Sequence, residues 1–396
     1  MGNSLKPLSL YIHWPFCLSK CPYCDFNSHV RQHIDEAAWQ QGLLHELKRY
    51  AQLIQGWGQP CLLTSIFFGG GTPSLMHPQT VENLIHNAIN LWPVADNLEI
   101  TLEANPNSVE IKRFQALYQA GVNRVSLGIQ ALNDAALKKL GRQHSAQEAV
   151  KAIETACQTF KRVSFDLIYS RPEQNLKVWQ QELAQALAFG TEHLSLYQLT
   201  IEPGTAFATL YDRKELVLPP PDTSADMFEM TQAMMNKHQR PAYEISNHAA
   251  PGAECQHNMA YWRYQDYIGI GPGAHGRLSQ RSGRYGPLHR WATRQKKSPE
   301  GWLQSIATNG HGDEEVTDLT PEQQLKEQLL MGLRLSQGID LSTLAIPLSQ
   351  ALADNIINNE RLRHLQQAGY ITLSPTTLTA TQAGRQRLQG LLEYWL

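Results

Sequence analysis

Six short runs rich in Val, Ile, Leu, Phe and Tyr recur through the first half of the chain, separated by stretches of helical periodicity. They are LSLYIH (8–13), TSIFFGG (64–70), LEITLEA (98–104), RVSLGIQ (124–130), RVSFDLIY (162–169) and HLSLYQLTI (193–201). The runs are too apolar to alternate cleanly, as expected of parallel strands buried on both faces. Helices are predicted between them at 35–54, 77–91, 108–120, 145–160 and 176–189. Six βα units in succession predict an α/β chain built on a partial parallel (βα)6 barrel of TIM type, over residues 1–218. A doubly wound open sheet is the alternative, but such a sheet usually announces itself with a dinucleotide-binding loop.

After the PPPD break a helix is predicted at 222–239, followed by a segment dense in Gly, Pro, Tyr and His that completes the barrel over 219–310. From 311 to 396 the style changes. PEQQLKEQLLMGLRL and LADNIINNERLRHLQQAG read as helices, and YITLS with LTAT as a hairpin, a helical module resembling a winged helix. Lys plus Arg (34) nearly balances Asp plus Glu (36), so charge gives no reason to expect a nucleic-acid partner. No apolar run approaches the ~18 residues of a membrane span, and the N-terminus lacks the features of a secretory signal. A cytoplasmic protein is expected, with transient membrane association left open.

Three of the six cysteines, Cys17, Cys21 and Cys24, fall within FCLSKCPYCDF, on the loop leaving the first strand. Clustered cysteines in a reducing compartment are metal ligands or redox groups before they are disulfides. Thiolates suit zinc or an iron–sulfur cluster. Structural zinc wants a fourth ligand, which would have to be His29, His33 or a distant residue. A 4Fe–4S cluster on three cysteines leaves one iron open. The C-x3-C-x2-C spacing after a first strand resembles the signature of the radical S-adenosylmethionine (SAM) superfamily, whose open iron binds the amino and carboxylate groups of SAM. Cys61, Cys157 and Cys255 stand far apart and read as small apolar side chains.

The surroundings agree. GGGTPS (69–74) follows the second strand, where glycines let backbone approach a ligand. Glu103 ends the third strand, where barrel sites lie, and could accept hydrogen bonds from two ribose hydroxyls. Gln130 ends the fourth, Arg142 follows as a bidentate partner for a carboxylate, and Asp166 lies towards the end of the fifth.

Together with CPYCDFNSH, LEANP, LGRQH, YQLTIEPGT and HNMAYWRYQDYIGIGPGAHG, these stretches resemble the oxygen-independent coproporphyrinogen III oxidase-like family of radical SAM proteins over nearly the whole chain. The resemblance implies that Cys17, Cys21 and Cys24 hold the cluster. It implies that Tyr11, Gly70, Gly71, Thr72, Glu103, Gln130, Arg142 and Asp166 line the SAM site. One departure is visible. Where the family commonly reads DLIYGLPGQ, this chain has DLIYSRPEQ, which puts the loop after the fifth strand in doubt.

Within that family the oxidases carry a further cysteine two residues after the third ligand. Here the position is Phe26, as in the branch of heme chaperones. The long N-terminal extension of the oxidases is also not expected, since Tyr11 lies ten residues from Met1. Both features point away from porphyrinogen decarboxylation and towards heme carriage to heme-requiring proteins. HNMAY offers His257 and Tyr261, four apart and so on one face if helical, as candidate axial ligands. The plainer reading is a structural histidine and a packed tyrosine. His275 is a second candidate. The rival functions are a radical SAM oxidoreductase acting on coproporphyrinogen III or a related tetrapyrrole, and a zinc-knotted binding protein.

Overall fold

The computed structural model describes residues 5–281, 288–344 and 359–396. The six expected strands form as β1 (Lys6–Trp14), β2 (Cys61–Gly70), β3 (Val94–Ala104), β4 (Arg124–Gln130), β5 (Arg162–Tyr169) and β6 (His193–Gln198). They pair in sequence order, every neighbour parallel. All six C-terminal ends therefore lie along one edge, where the loops that follow them converge. Leu10, Ile12, Phe68, Leu102, Leu127 and Phe165 are fully buried beneath that edge, as the unbroken apolar runs require.

The helices start where a short polar side chain meets the first free backbone N–H groups. Asp35 caps Glu36–Gly56, Asn175 caps Leu176–Ala188, and Ser145 forms a capping box with Glu148 at the head of Ala146–Thr159. The helix expected over 108–120 is split into Ser108–Ile111 and Phe114–Gln119.

The sheet continues on both sides of the barrel strands. A short β7 (Asn247–Ala249) joins β6 antiparallel. On the other side β8 (Asp266–Ile270) lies parallel to β1, and β9 (His275–Arg281), β10 (Leu288–Gln295) and β11 (Asp313–Asp318) extend it antiparallel. The result is an eleven-stranded sheet with two edges, a barrel that does not close. Beyond Asp318 a separate core gathers Leu325, Leu329, Leu362, Leu378 and Leu391. It holds the helix Pro321–Gly332, capped by Thr320, and the hairpin Ile371–Leu373/Thr377–Ala380. The helix expected over 352–369 is seen as Glu360–Gln367; residues 352–358 lie outside the described residues.

The DLIYSRPEQ loop has a physical explanation. Ser170 (φ 59°) and Glu173 (φ 63°) are left-handed, at the two positions where the family commonly places glycine. A side chain there costs ~1–2 kcal/mol. Glu173→Gly should therefore raise stability by about 1 kcal/mol, its exposed pair with Lys139 (2.6 Å) being worth little. A melting temperature equal to or below the parent's would refute this.

Candidate functional site

The cysteine loop is tied at both ends. Phe16–Cys17 pairs with His29–Val30, and Phe16 packs edge-on against Trp14 and Trp39. The glycine turn docks on its start, with Gly71 N–H donating to Trp14 O (2.7 Å) and Thr72 N–H to Phe16 O (2.8 Å). A Cβ on Gly71 would lie 2.6 Å from Phe16 O, and one on Gly70 (φ 112°) 2.5 Å from the His13 ring. These two glycines are demanded by the protein's own packing, a reason the sequence reading assigned to a ligand.

Cys17, Cys21 and Cys24 line one cleft with Gly70, Gly71, Thr72, Glu103, Gln130, Arg142 and Asp166. Each thiol has its own neighbour: Thr72 Oγ1 donates to Cys17 Sγ (3.4 Å), Arg142 Nη1 to Cys21 Sγ (3.3 Å), and Ser28 Oγ lies 3.9 Å from Cys24 Sγ. Among the described residues, no three cysteine, histidine or carboxylate side chains are gathered tightly enough to hold a single ion. Neither His29 nor His33 lines the cleft. Thiols spread around a cavity suit a four-iron cluster better than the closed tetrahedron of a zinc knot.

The polar wall comes from four strand ends. Gln130 (φ 69°) leaves its side-chain oxygen buried and without a hydrogen-bond partner, and so does the Nε of Arg142. Buried polar atoms are nearly always paired, so two orphans in one cleft point to a polar ligand. The rest of the Arg142 guanidinium is committed to Cys21, Asn105 and Gly128 O. It is less free for a carboxylate than its sequence position implied. Ser126 and Gly128, missed in the sequence, also line the cleft. The period-two spacing 126, 128, 130 was the available signal.

Burial pushes the Glu103 carboxyl up to about 8; the charge of Asp166 adds to this, and Gly70 N–H (3.2 Å) and Arg124 oppose it. Asp166 is raised to about 6, also by burial, against hydrogen bonds from Ser195 and Ser126. A carboxyl raised in the folded state costs stability progressively as pH climbs from its unfolded value to its folded one. Glu103→Gln should therefore melt higher than the parent at pH 8, with little difference at pH 4.5. Unchanged melting at pH 8 would contradict the burial of an uncompensated charge.

Tyr11 does not line the cysteine cleft. Its hydroxyl bonds His13 Nδ1 (2.9 Å), and its ring faces an adjoining cavity shared with Tyr261 and His275. Glu103, Gly70, Lys20 and Phe26 border both spaces, and Phe26 is 58% exposed at the mouth.

His257 and Tyr261 do sit on one helix, Gln256–Trp262, but they face each other. Ser65 Oγ donates to Ser9, so it accepts from His257 Nδ1–H (3.0 Å); Nε2 then accepts from the Tyr261 hydroxyl (3.0 Å). The imidazole is buried, stacks on Phe67 at 4.8 Å, and is pushed down to about 3 by burial. Both ring nitrogens of the candidate axial ligand are thus engaged by protein groups. Burial also drives the Tyr261 phenol well above its ordinary range, against tyrosinate ligation. His257→Ala should lower stability by about 2–4 kcal/mol, two buried bonds being lost, and in a hemin titration the folded variant should give the same spectrum as the parent. A shifted Soret band at unchanged melting temperature would restore ligation.

The pattern of the radical SAM superfamily matches residues 11–184, and that of the HemN C-terminal domain residues 319–387. Among solved structures, coproporphyrinogen III oxidase (HemN) from Escherichia coli superposes with a TM-score of 0.78 at 20% identity, over 99% of this chain and 90% of that one. A radical SAM fold with a HemN-type C-terminal domain is thereby defined. The heme chaperone HemW of Escherichia coli K12 is 36% identical, covering 99% of each chain, and that of Bacillus subtilis 34%, covering 95% of this chain and 96% of the relative. A bovine mitochondrial relative, radical S-adenosyl methionine domain-containing protein 1, is 36% identical over 97% of this chain and 86% of its own. The chain belongs to the HemW family of radical SAM proteins.

Proposed function

We propose that this protein is a cytoplasmic heme chaperone that holds a 4Fe–4S cluster and SAM and passes heme to heme-requiring proteins. The observation that carries the cofactor assignment is one cleft joining three separate thiols to unpaired polar atoms of Gln130 and Arg142. Cys17, Cys21 and Cys24 would hold the cluster, whose open iron supplies a binding point for SAM. Thr72 and Arg142 hold two of the thiols through hydrogen bonds. Glu103, with Gly70 N–H fixing one carboxylate oxygen, would orient the ribose. Gln130 and Asp166 complete the polar wall.

The chaperone role draws on the names of the relatives and on Phe26, which stands at the mouth where the oxidases have a cysteine. The test is anaerobic reconstitution followed by hemin titration, with iron, sulfide and heme measured on the gel-filtered protein. A Soret band that stays with the protein beside a full cluster is expected. Protein that retains no heme would overturn the proposal.

A further inference from the structure

A second cavity, of about 980 Å³, lies outside the site described, beside the C-terminal ends of β5 and β6. The cysteine cleft measures about 160 Å³. Cavities of ~300–1,000 Å³ are the size of small-molecule sites. Its walls come from the ends of β5 and β6, the segment from Tyr211 to Pro221, the helix that begins at Pro221, the turn at Ile245–Ser246, and Arg385 and Gln386 of the C-terminal unit. Leu199, Leu216, Phe228 and Ile245 make it apolar, and Tyr211 and Val217 stand at 48% and 70% exposure. Pro219 and Pro220 stiffen the segment that leads up to the helix starting at Pro221. Gln386 Nε2 donates to Ala225 O (3.3 Å), clamping the C-terminal unit over the helix that begins at Pro221.

Two cations face this apolar space. Arg385, carried by the short helix Gln382–Gln386, is half-buried, and burial alone lowers its pKa. Its hydrogen bond is a long one, 3.5 Å to Ala380 O, and among the described residues no carboxylate pairs with it. A partly desolvated guanidinium without a counter-charge is costly unless an anion visits. Lys214 stands on the same wall, exposed; Asp212, the one acid among the lining residues, is exposed beside it.

Heme is a broad apolar plate with two carboxylates on one edge. We infer that this cavity is where the protein carries its tetrapyrrole, with the plate against the apolar walls and its carboxylates on Arg385 and Lys214. The inference rests on the heme-carrier reading above and gives that reading a location away from the cluster. Heme stored there is kept apart from the redox-active iron, and the C-terminal unit becomes a wall of the cargo site.

The experiment is titration of hemin, and separately of metal-free protoporphyrin, into the reconstituted full chain and its variants. Lys214→Glu and Arg385→Glu should each weaken both ligands by about tenfold or more, and Arg385→Lys should retain most of the affinity. Ala225→Trp should abolish binding by filling the space, with iron and sulfide unchanged. Lys214 is exposed, so its variant folds and decides the matter if Arg385→Glu does not. Variants that bind like the parent would overturn the location while leaving the carrier reading intact, above all if His275→Ala removed binding instead. A parent protein that binds no hemin would overturn both.

Discussion

Alanine at any one of Cys17, Cys21 or Cys24 is expected to prevent assembly of the proposed iron–sulfur cluster. A three-thiolate site has no spare protein ligand, and each of these thiols has a different neighbour beside it. The other cysteines offer no substitute, because Cys61, Cys157 and Cys255 do not line the cleft. The fold should survive, since the three side chains are only partly buried and the loop is held by the Phe16–Cys17/His29–Val30 pairing and the Trp14–Phe16–Trp39 cluster. Iron and sulfide measured after anaerobic reconstitution should fall to background in each variant and stay full in Cys157→Ala. Full content in any of the three would show that the ligand set is wrong.

The second large effect lies in the loop after β5. Arg171 and Glu182 form an ion pair whose side chains are each 5% exposed. Glu182 also accepts from Leu132 N–H (2.7 Å), and Arg171 donates to Gln130 O (3.3 Å), so the pair braces the strand end that presents Gln130. Removing one partner strands a buried charge, and Arg171→Ala should cost about 3–5 kcal/mol. The paired change Arg171→Leu with Glu182→Leu should recover most of that, because no charge is left behind. Denaturant unfolding of the single and double variants reads both. A single variant within 1 kcal/mol of the parent would mean that the pair is solvated and braces nothing.

The same loop shows what sequence could and could not tell. DLIYSRPEQ was visible as a departure, but not that Arg171 finds Glu182 eleven residues on, a pairing that needs the helix Leu176–Ala188 folded back onto the loop. The barrel strands were legible because burial on both faces writes an unbroken apolar run. β9 and β10 were not: HGRLSQR and LHRWATRQ carry charged and polar residues along their length, so no unbroken apolar run marks them. Glu103, Gln130 and Asp166 were legible as cleft residues because strand ends in a parallel barrel share one edge, whereas Ser126 and Gly128 were missed and Tyr11 lies outside the cleft. Of the two readings of His257, the structural one has a local basis. Helical spacing puts it on the same face as Tyr261, and that is why the two satisfy each other.

Carrier and oxidase separate most directly in one mixture: reconstituted protein with SAM and a reductant, given hemin in one sample and coproporphyrinogen III in the other. The expected result is a stable Soret band in the first and unconsumed coproporphyrinogen III in the second. Conversion of coproporphyrinogen III, with no heme retained, would contradict the chaperone reading and make Phe26 irrelevant to the choice.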